Sequence, residues 1–203
     1  DSIGRWVLET ACRQLRKWHD AGLTHIAVKV NLSPLEFRQP GLMDQVRAAV
    51  EENNIPPGAL GIEITESAAM QEPERSEQVL TEMRALGIHV SLDDFGTGHS
   101  SLAQLSRFPI QGLKIDRTLV AALPDDRKNA IIASTVAALC SDLGLDLVGE
   151  GVESAAQAAF LLAHGCRQMQ GYLFSPPVDA ATVEPMLRRE GHVAWAQWPQ
   201  LVR

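Results

Sequence analysis

The run Val90-Ser91-Leu92-Asp93-Asp94-Phe95-Gly96-Thr97-Gly98 decides the fold. An apolar, strand-like segment ends in two adjacent carboxylates and passes into a glycine-rich loop. Neighbouring carboxylates repel each other. Keeping both ionised near a protein interior calls for a cation, and oxygen-rich sites suit hard ions such as Mg²⁺ or Mn²⁺. In isolation the same residues read equally as a strand followed by an Asp-rich turn. The rest of the chain decides between the two readings.

Working outward, strands and helices alternate. Before the run, helical spacing covers 2–19, with Ile3, Val7, Ala11, Leu15 and Trp18 on one face. Strands are predicted over 26–32, 60–65 and 88–92, with helices over 42–53 and 74–86 between them. After the run come a short helix near 100–107, a strand over 112–116 and a long helix over 126–143 stopped by Gly144. A strand over 145–149, a helix near 154–164, a strand over 167–174 and a helix over 179–190 complete the pattern. Such alternation means parallel βα units with right-handed crossovers. Six strands fit an open doubly wound sheet, or six of the eight strands of a (β/α)₈ TIM-type barrel. The chain opens on a helix, which implies a strand before it.

The bulk properties bound the function. The 203 residues are 45% hydrophobic and 21% charged, as in a globular chain with a sizeable core. A net charge of −7 argues against a general nucleic-acid groove, so no DNA partner is expected. It leaves room for an anionic ligand held through metal ions. Cys12, Cys140 and Cys166 are isolated and odd in number, which reads as reduced, buried thiols in a cytoplasmic protein. No apolar run approaches the ~18 residues of a membrane span. The first residues read as an amphipathic helix rather than a signal peptide.

Each predicted strand carries a polar group at or near its C-terminal end: Asn31, Glu63, Asp93 with Asp94, Lys114, Glu150 and Gln170. Strand side chains alternate faces. Asn31 opposes Val28 and Val30, and Glu63 opposes Leu60, Ile62 and Ile64. Asp93 opposes Val90 and Leu92, Lys114 opposes Leu113 and Ile115, and Glu150 opposes Leu145 and Leu147. In a barrel the apolar parity faces the helices and the polar parity the lumen. The polar groups then converge at the C-terminal mouth, where barrel enzymes place their chemistry. Several carboxylates with an Asn amide are ligands for hard divalent ions, and Asp93 can bridge two of them. Two metals and a lysine suit phosphodiester hydrolysis. A glycosidase, which needs only a carboxylate pair, is the rival class from chemistry alone.

The segments Asn31-Leu32-Ser33, Glu63-Ile64-Thr65-Glu66, Asp93 to Gly98, Lys114-Ile115-Asp116, Glu150-Gly151-Val152-Glu153 and Gln170-Gly171-Tyr172 together resemble the EAL domain family. They occur in that family's order. The resemblance implies a (β/α)₈-type barrel and hydrolysis of cyclic di-GMP to linear pGpG with two Mg²⁺ or Mn²⁺ ions. It also implies metal ligation by Asn31, Glu63, Asp93, Asp94 and Glu150. Lys114 would position the attacking water, Glu153 and Gln170 would contact water and substrate, and Glu66 would tether the loop after Asp94. Catalysis would rest on Lys114, Glu150 and Asp93. A catalytically silent cyclic di-GMP receptor is the alternative within the family. A homodimer, an upstream sensory or GGDEF-type domain, and a cytoplasmic location, on a membrane-anchored protein or not, are the implied context.

Departures accompany the match. The Glu-Ala-Leu motif that names the family, whose Glu is a metal ligand, is absent. The chain therefore reads as one domain over 1–203 lacking about its first two strands. His99 stands where the family more often has Tyr and reads as a loop residue. Lys29 lies on the inner parity and needs a partner that the sequence does not name. Tyr172 and Phe174 are read as packing at the last strand, with stacking on a base as the alternative. Trp195 and Trp198 suit either a partner surface or burial against the barrel's outside. His19, His25, His89, His164 and His192 lack metal-ligand spacing, and the acidic runs at 51–52 and 72–77 read as solvated helix ends.

Overall fold

The computed structural model describes residues 2–96 and 102–188. The chain divides into two units, Asp1–Gly112 and Leu113–Arg203. In the first, α1 (Ser2–Asp20) precedes β1 (Val28–Leu32), α2 (Pro34–Phe37), α3 (Leu42–Glu52), β2 (Leu60–Thr65), α4 (Glu66–Gln71), α5 (Pro73–Ala85), β3 (His89–Phe95) and α6 (Leu102–Leu105). Strands β1, β2 and β3 pair in parallel, in chain order. Their register aligns Val30, Ile62 and Val90 in one row and Leu32, Ile64 and Leu92 in the next. Ile62, Ile64, Val90 and Leu92 are all at most 1% exposed. Each such side chain contributes about 1.5–3 kcal/mol on burial, an upper figure because unfolded chains already bury some apolar surface.

The opposite parity makes the polar face. Lys29 aligns with Gly61 and His89, Asn31 with Glu63 and Ser91, and Thr65 with Asp93. A shift of one residue in either pairing would exchange these rows with the apolar ones, so burial of the Ile62 row fixes where the polar groups face.

The second unit contains β4 (Gly112–Ile115, beginning at the unit boundary), α7 (Arg117–Ala121), α8 (Arg127–Leu143), β5 (Asp146–Gly149), α9 (Ala155–Ala163), β6 (Gln168–Met169) and α10 (Ala180–Arg188). Strands β5 and β6 pair in parallel. Just past the strands, the Glu150 amide donates to Ile115 O at 3.2 Å and the Gln170 amide to Gly149 O at 2.9 Å. Gly144 takes φ 66° to end α8, as its sequence position predicts.

Three short helices escape the periodicity reading, and each is started by a cap at a strand end. Ser33 and Glu36 form a capping box for α2 with Pro34 in its first turn. Thr65 caps α4 through the Ala68 amide, and Asp116 caps α7 through the Thr118 amide at 2.9 Å. The caps lie two residues beyond Asn31, Glu63 and Lys114. Each of these polar side chains is thus held on a backbone anchored on both sides, by the sheet and by the cap.

Other expectations need correction. The buried stripe of α1 is Leu8, Cys12, Leu15 and Trp18, whereas Ile3 is 76% exposed. Leu15 and Trp18 are buried as expected, but in the first half of the helix the face packed inward is that of Leu8 and Cys12 rather than that of Ile3 and Val7. Strand β3 runs on through Asp93 and Asp94 to Phe95. Strand β6 is only Gln168–Met169, and the chain beyond it turns. His99, His192, Trp195 and Trp198 lie outside the described residues.

All three cysteines are free and buried. Burial raises the Cys140 thiol to about 12, and the Cys12 and Cys166 thiols to about 11. A raised thiol pKa keeps the proton on in the folded state. Its stabilising contribution is therefore complete below the unfolded value of about 8.5 and is lost as the pH rises through the folded values. Native protein is expected to resist Ellman's reagent at mildly alkaline pH, and the same protein in guanidinium chloride to react at all three thiols. Fast reaction of the native form would contradict this burial.

Candidate active site

The sequence-predicted residues fall into two sets, one in each unit. In the first unit, Glu63 occupies the middle strand and is only 7% exposed. Asn31 stands level with it on β1 and Ser91 on β3, and Asp93 lies one pleat further along the same face. The oxygen donors therefore form a row at the C-terminal end of the sheet. The Asp94 amide donates to Asp93 Oδ1 at 2.9 Å, which fixes the rotamer of that carboxylate. Asp94 itself is exposed and adopts φ 58°, an uncommon conformation for a non-glycine residue. That conformation takes it out of the simple alternation of the strand.

Lys29 has a partner after all. Its Nζ lies 3.8 Å from Glu63 Oε1 and donates to Ser91 Oγ at 3.4 Å. The sequence offered one clue, the absence of a side chain at Gly61 directly across from it. Glu66, expected to tether the loop after Asp94, is 4% exposed in the first turn of α4. Residues 97–101 of that loop lie outside the described residues.

In the second unit Lys114 is 2% exposed and pairs with Glu150 Oε1. Gln170 Nε2 donates to the same Oε1 at 2.7 Å. Three residues that the sequence placed at three strand ends thus meet through one carboxylate. A charge as buried as Lys114 requires such pairing. Gly171 makes the turn behind Gln170 possible. A Cβ there would lie 2.2 Å from Val152 O, and the Val152 amide donates to Gln170 O at 3.0 Å. Glu153 is exposed beside the α9 cap, its amide donating to Gln157 Oε1 at 2.8 Å.

Tyr172 overturns the packing expectation. It is 69% exposed on the turn after Gln170, while Phe174 is half-buried. The turn carries the ring outward because the Leu173 amide is drawn to Val152 O and the Phe174 amide to Gly171 O.

The donor set in the first unit fits a divalent cation. It offers carboxylate, amide and hydroxyl oxygens, with one carboxylate nearly out of water, and a hard ion is what such a set holds. Two parallel βα units with polar groups at their strand ends define an α/β protein of the kind that places its chemistry at the strand C-termini.

The comparisons with known proteins agree with that class. The EAL domain profile matches residues 1–177. The bifunctional diguanylate cyclase/cyclic di-GMP phosphodiesterase MucR of Pseudomonas aeruginosa is 45% identical over 178 residues, which is 88% of this chain and 26% of MucR. The cyclic di-GMP phosphodiesterase NbdA of the same organism is 40% identical over 188 residues, 93% of this chain and 24% of NbdA. Among solved structures, the MucR phosphodiesterase in complex with c-di-GMP superposes with a TM-score of 0.87 at 44% identity, covering 89% of this chain and 73% of that one. The EAL domain of Mycobacterium smegmatis DcpA gives a TM-score of 0.87 at 38% identity over 93% of this chain and 85% of that one. The chain belongs to the EAL domain family. Its fold is accordingly that of a TIM-type barrel, with six strands among the described residues. It spans about a quarter of the length of the curated relatives it matches. Among the described residues no helix is long and apolar enough to cross a membrane.

Proposed function

We propose that the chain is the phosphodiesterase part of a bacterial signalling protein and hydrolyses one phosphodiester of cyclic di-GMP to give linear pGpG. The observation that carries this reading is the row of oxygen donors on one sheet face, with Asn31 level with Glu63 and Asp93 one pleat on. Relatives named as cyclic di-GMP phosphodiesterases, and one solved with c-di-GMP, support the substrate.

In this reading Asn31, Glu63 and Asp93 would hold one divalent cation and Asp93 and Asp94 a second, with Glu150 as the further ligand that the family resemblance implies. When bound, two Mg²⁺ or Mn²⁺ ions supply the acidified water and the charge neutralisation that phosphodiester cleavage needs. Lys114 orients the attacking water and meets the charge that develops on the phosphate. Glu150 keeps the Lys114 ammonium in place, and Gln170 keeps Glu150 in one rotamer. Glu153 and Gln170 contact substrate, and Glu66 holds the loop after Asp94. A homodimer and an upstream sensory or GGDEF-type domain complete the proposed context.

The test is turnover of cyclic di-GMP by the full chain with Mg²⁺ or Mn²⁺, with and without chelator, beside Asp93→Ala. Formation of pGpG that chelator and Asp93→Ala both abolish supports the reading. Tight binding without turnover in either metal would replace it with the receptor alternative. Hydrolysis indifferent to chelator would remove the metal from the mechanism.

A further inference from the structure

We infer that Lys29 is a resident counter-charge for Glu63, which stabilises the cation-free chain and weakens its hold on a divalent ion. The inference rests on the metal reading of Glu63 and Asp93, and it makes Lys29 a positioning residue beneath the site.

The lysine is built into the sheet. It sits one row below Asn31, Glu63 and Ser91, level with Gly61. Any side chain at 61 would collide with it, because a Cβ there would lie 2.7 Å from Lys29 Cγ. The lysine stem therefore crosses the bare backbone of Gly61, and its ammonium rises to the Glu63 row. There it stands 3.8 Å from Glu63 Oε1 and donates to Ser91 Oγ at 3.4 Å. Ser91 is 1% exposed and the Glu63 side chain 9%, so water screens the pair poorly. The lysine side chain as a whole is 31% exposed.

A carboxylate buried to this degree is costly unless a positive charge stands near it. Lys29 provides that charge before any divalent ion arrives. Once an ion binds at Glu63, the ammonium and the ion are like charges facing one carboxylate, and their repulsion lowers the affinity. The two effects have opposite signs when the lysine is removed: the cation-free chain loses stability and the site gains affinity. A mere structural brace would give only the first.

The experiment compares the full chain with Lys29→Met, Lys29→Arg and Asp93→Ala. Mn²⁺ affinity is read by calorimetric titration and thermal melting is followed in chelator. We expect Lys29→Met to bind Mn²⁺ about ten-fold more tightly, in line with removal of one charge near a partly buried ion, and to melt lower in chelator. Lys29→Arg keeps the charge and should hold the parent affinity. Gly61→Ala, which displaces the lysine stem, should shift affinity in the same direction as Lys29→Met. An unchanged or weaker Mn²⁺ affinity in Lys29→Met, with the parent binding normally, would overturn the inference and leave the metal site standing. A parent chain that takes up no Mn²⁺, indistinguishable from Asp93→Ala, would instead overturn the metal reading and the inference with it.

Discussion

Lys114→Met is expected to reduce turnover by about 10²–10³-fold while leaving cyclic di-GMP binding within a few-fold of the parent, the cost of removing one positioned donor from a charge-developing site. It should also destabilise the chain. Lys114 is 2% exposed and pairs with a Glu150 whose side chain is 14% exposed, so its loss takes a counter-charge from a poorly solvated carboxylate. Breaking such a pair costs about 3–5 kcal/mol, and the lower end applies because Gln170 still donates to Glu150. The double variant Lys114→Met with Glu150→Gln isolates the stability effect alone, because Glu150 is itself a proposed metal ligand whose loss lowers turnover. It should recover much of the stability, since no lone charge remains, and none of the activity. Urea melts and single-turnover kinetics measure both. A double variant that regains turnover would show that Lys114 acts only by propping up the fold.

Asp93→Asn carries the second large effect, with a different signature. Asparagine keeps the shape and the oxygen that accepts the Asp94 amide, but it loses the charge. On the metal reading, Mn²⁺ binding and turnover both fall by at least about 10³-fold, because a neutral amide replaces a carboxylate shared by two cations. Folding stability in chelator should stay within about 0.5 kcal/mol of the parent, the usual range for an isosteric change that touches no core packing. Calorimetric Mn²⁺ titration beside a urea melt reads the two quantities separately. A large stability loss with intact metal binding would mark Asp93 as a structural residue.

The strand ends are legible in the sequence because one polar residue breaks each apolar run at its far end. Glu63 after Ile62 and Lys114 after Leu113 announce a face that cannot be apolar core, although both side chains are buried. The register then bears out the parity in the first unit, where Asn31, Glu63 and Ser91 share a row. One-turn helices are harder to see, because four to six residues are too short to show a 3.6-residue period. Their caps could have revealed α2, since Ser33-Pro34-Leu35-Glu36 is a capping box with proline at its first position. Helix α1 misleads for the opposite reason. Ile3, Val7, Ala11, Leu15 and Trp18 make one apolar stripe, of which Leu15 and Trp18 are buried, but Leu8 and Cys12 extend the apolar surface to a second side, and periodicity cannot choose between the first-turn positions. Contacts distant in sequence are the hardest to read, and the bare Gly61 is the one clue to that of Lys29. Nothing near Lys29 in the chain points to Glu63, 34 residues away, or Ser91, 62 residues away. Tyr172 departs from expectation because aromatic residues at a strand end usually pack, whereas the turn at Gly171 carries this one outward.

Anomalous diffraction at the manganese edge, from crystals of the full chain grown with Mn²⁺ and cyclic di-GMP, tests the central claim most directly. The account predicts manganese peaks within coordination distance of Glu63 and Asp93 and of a phosphate oxygen of the nucleotide. Nucleotide bound over the strand ends with no manganese at Glu63 or Asp93 would contradict it.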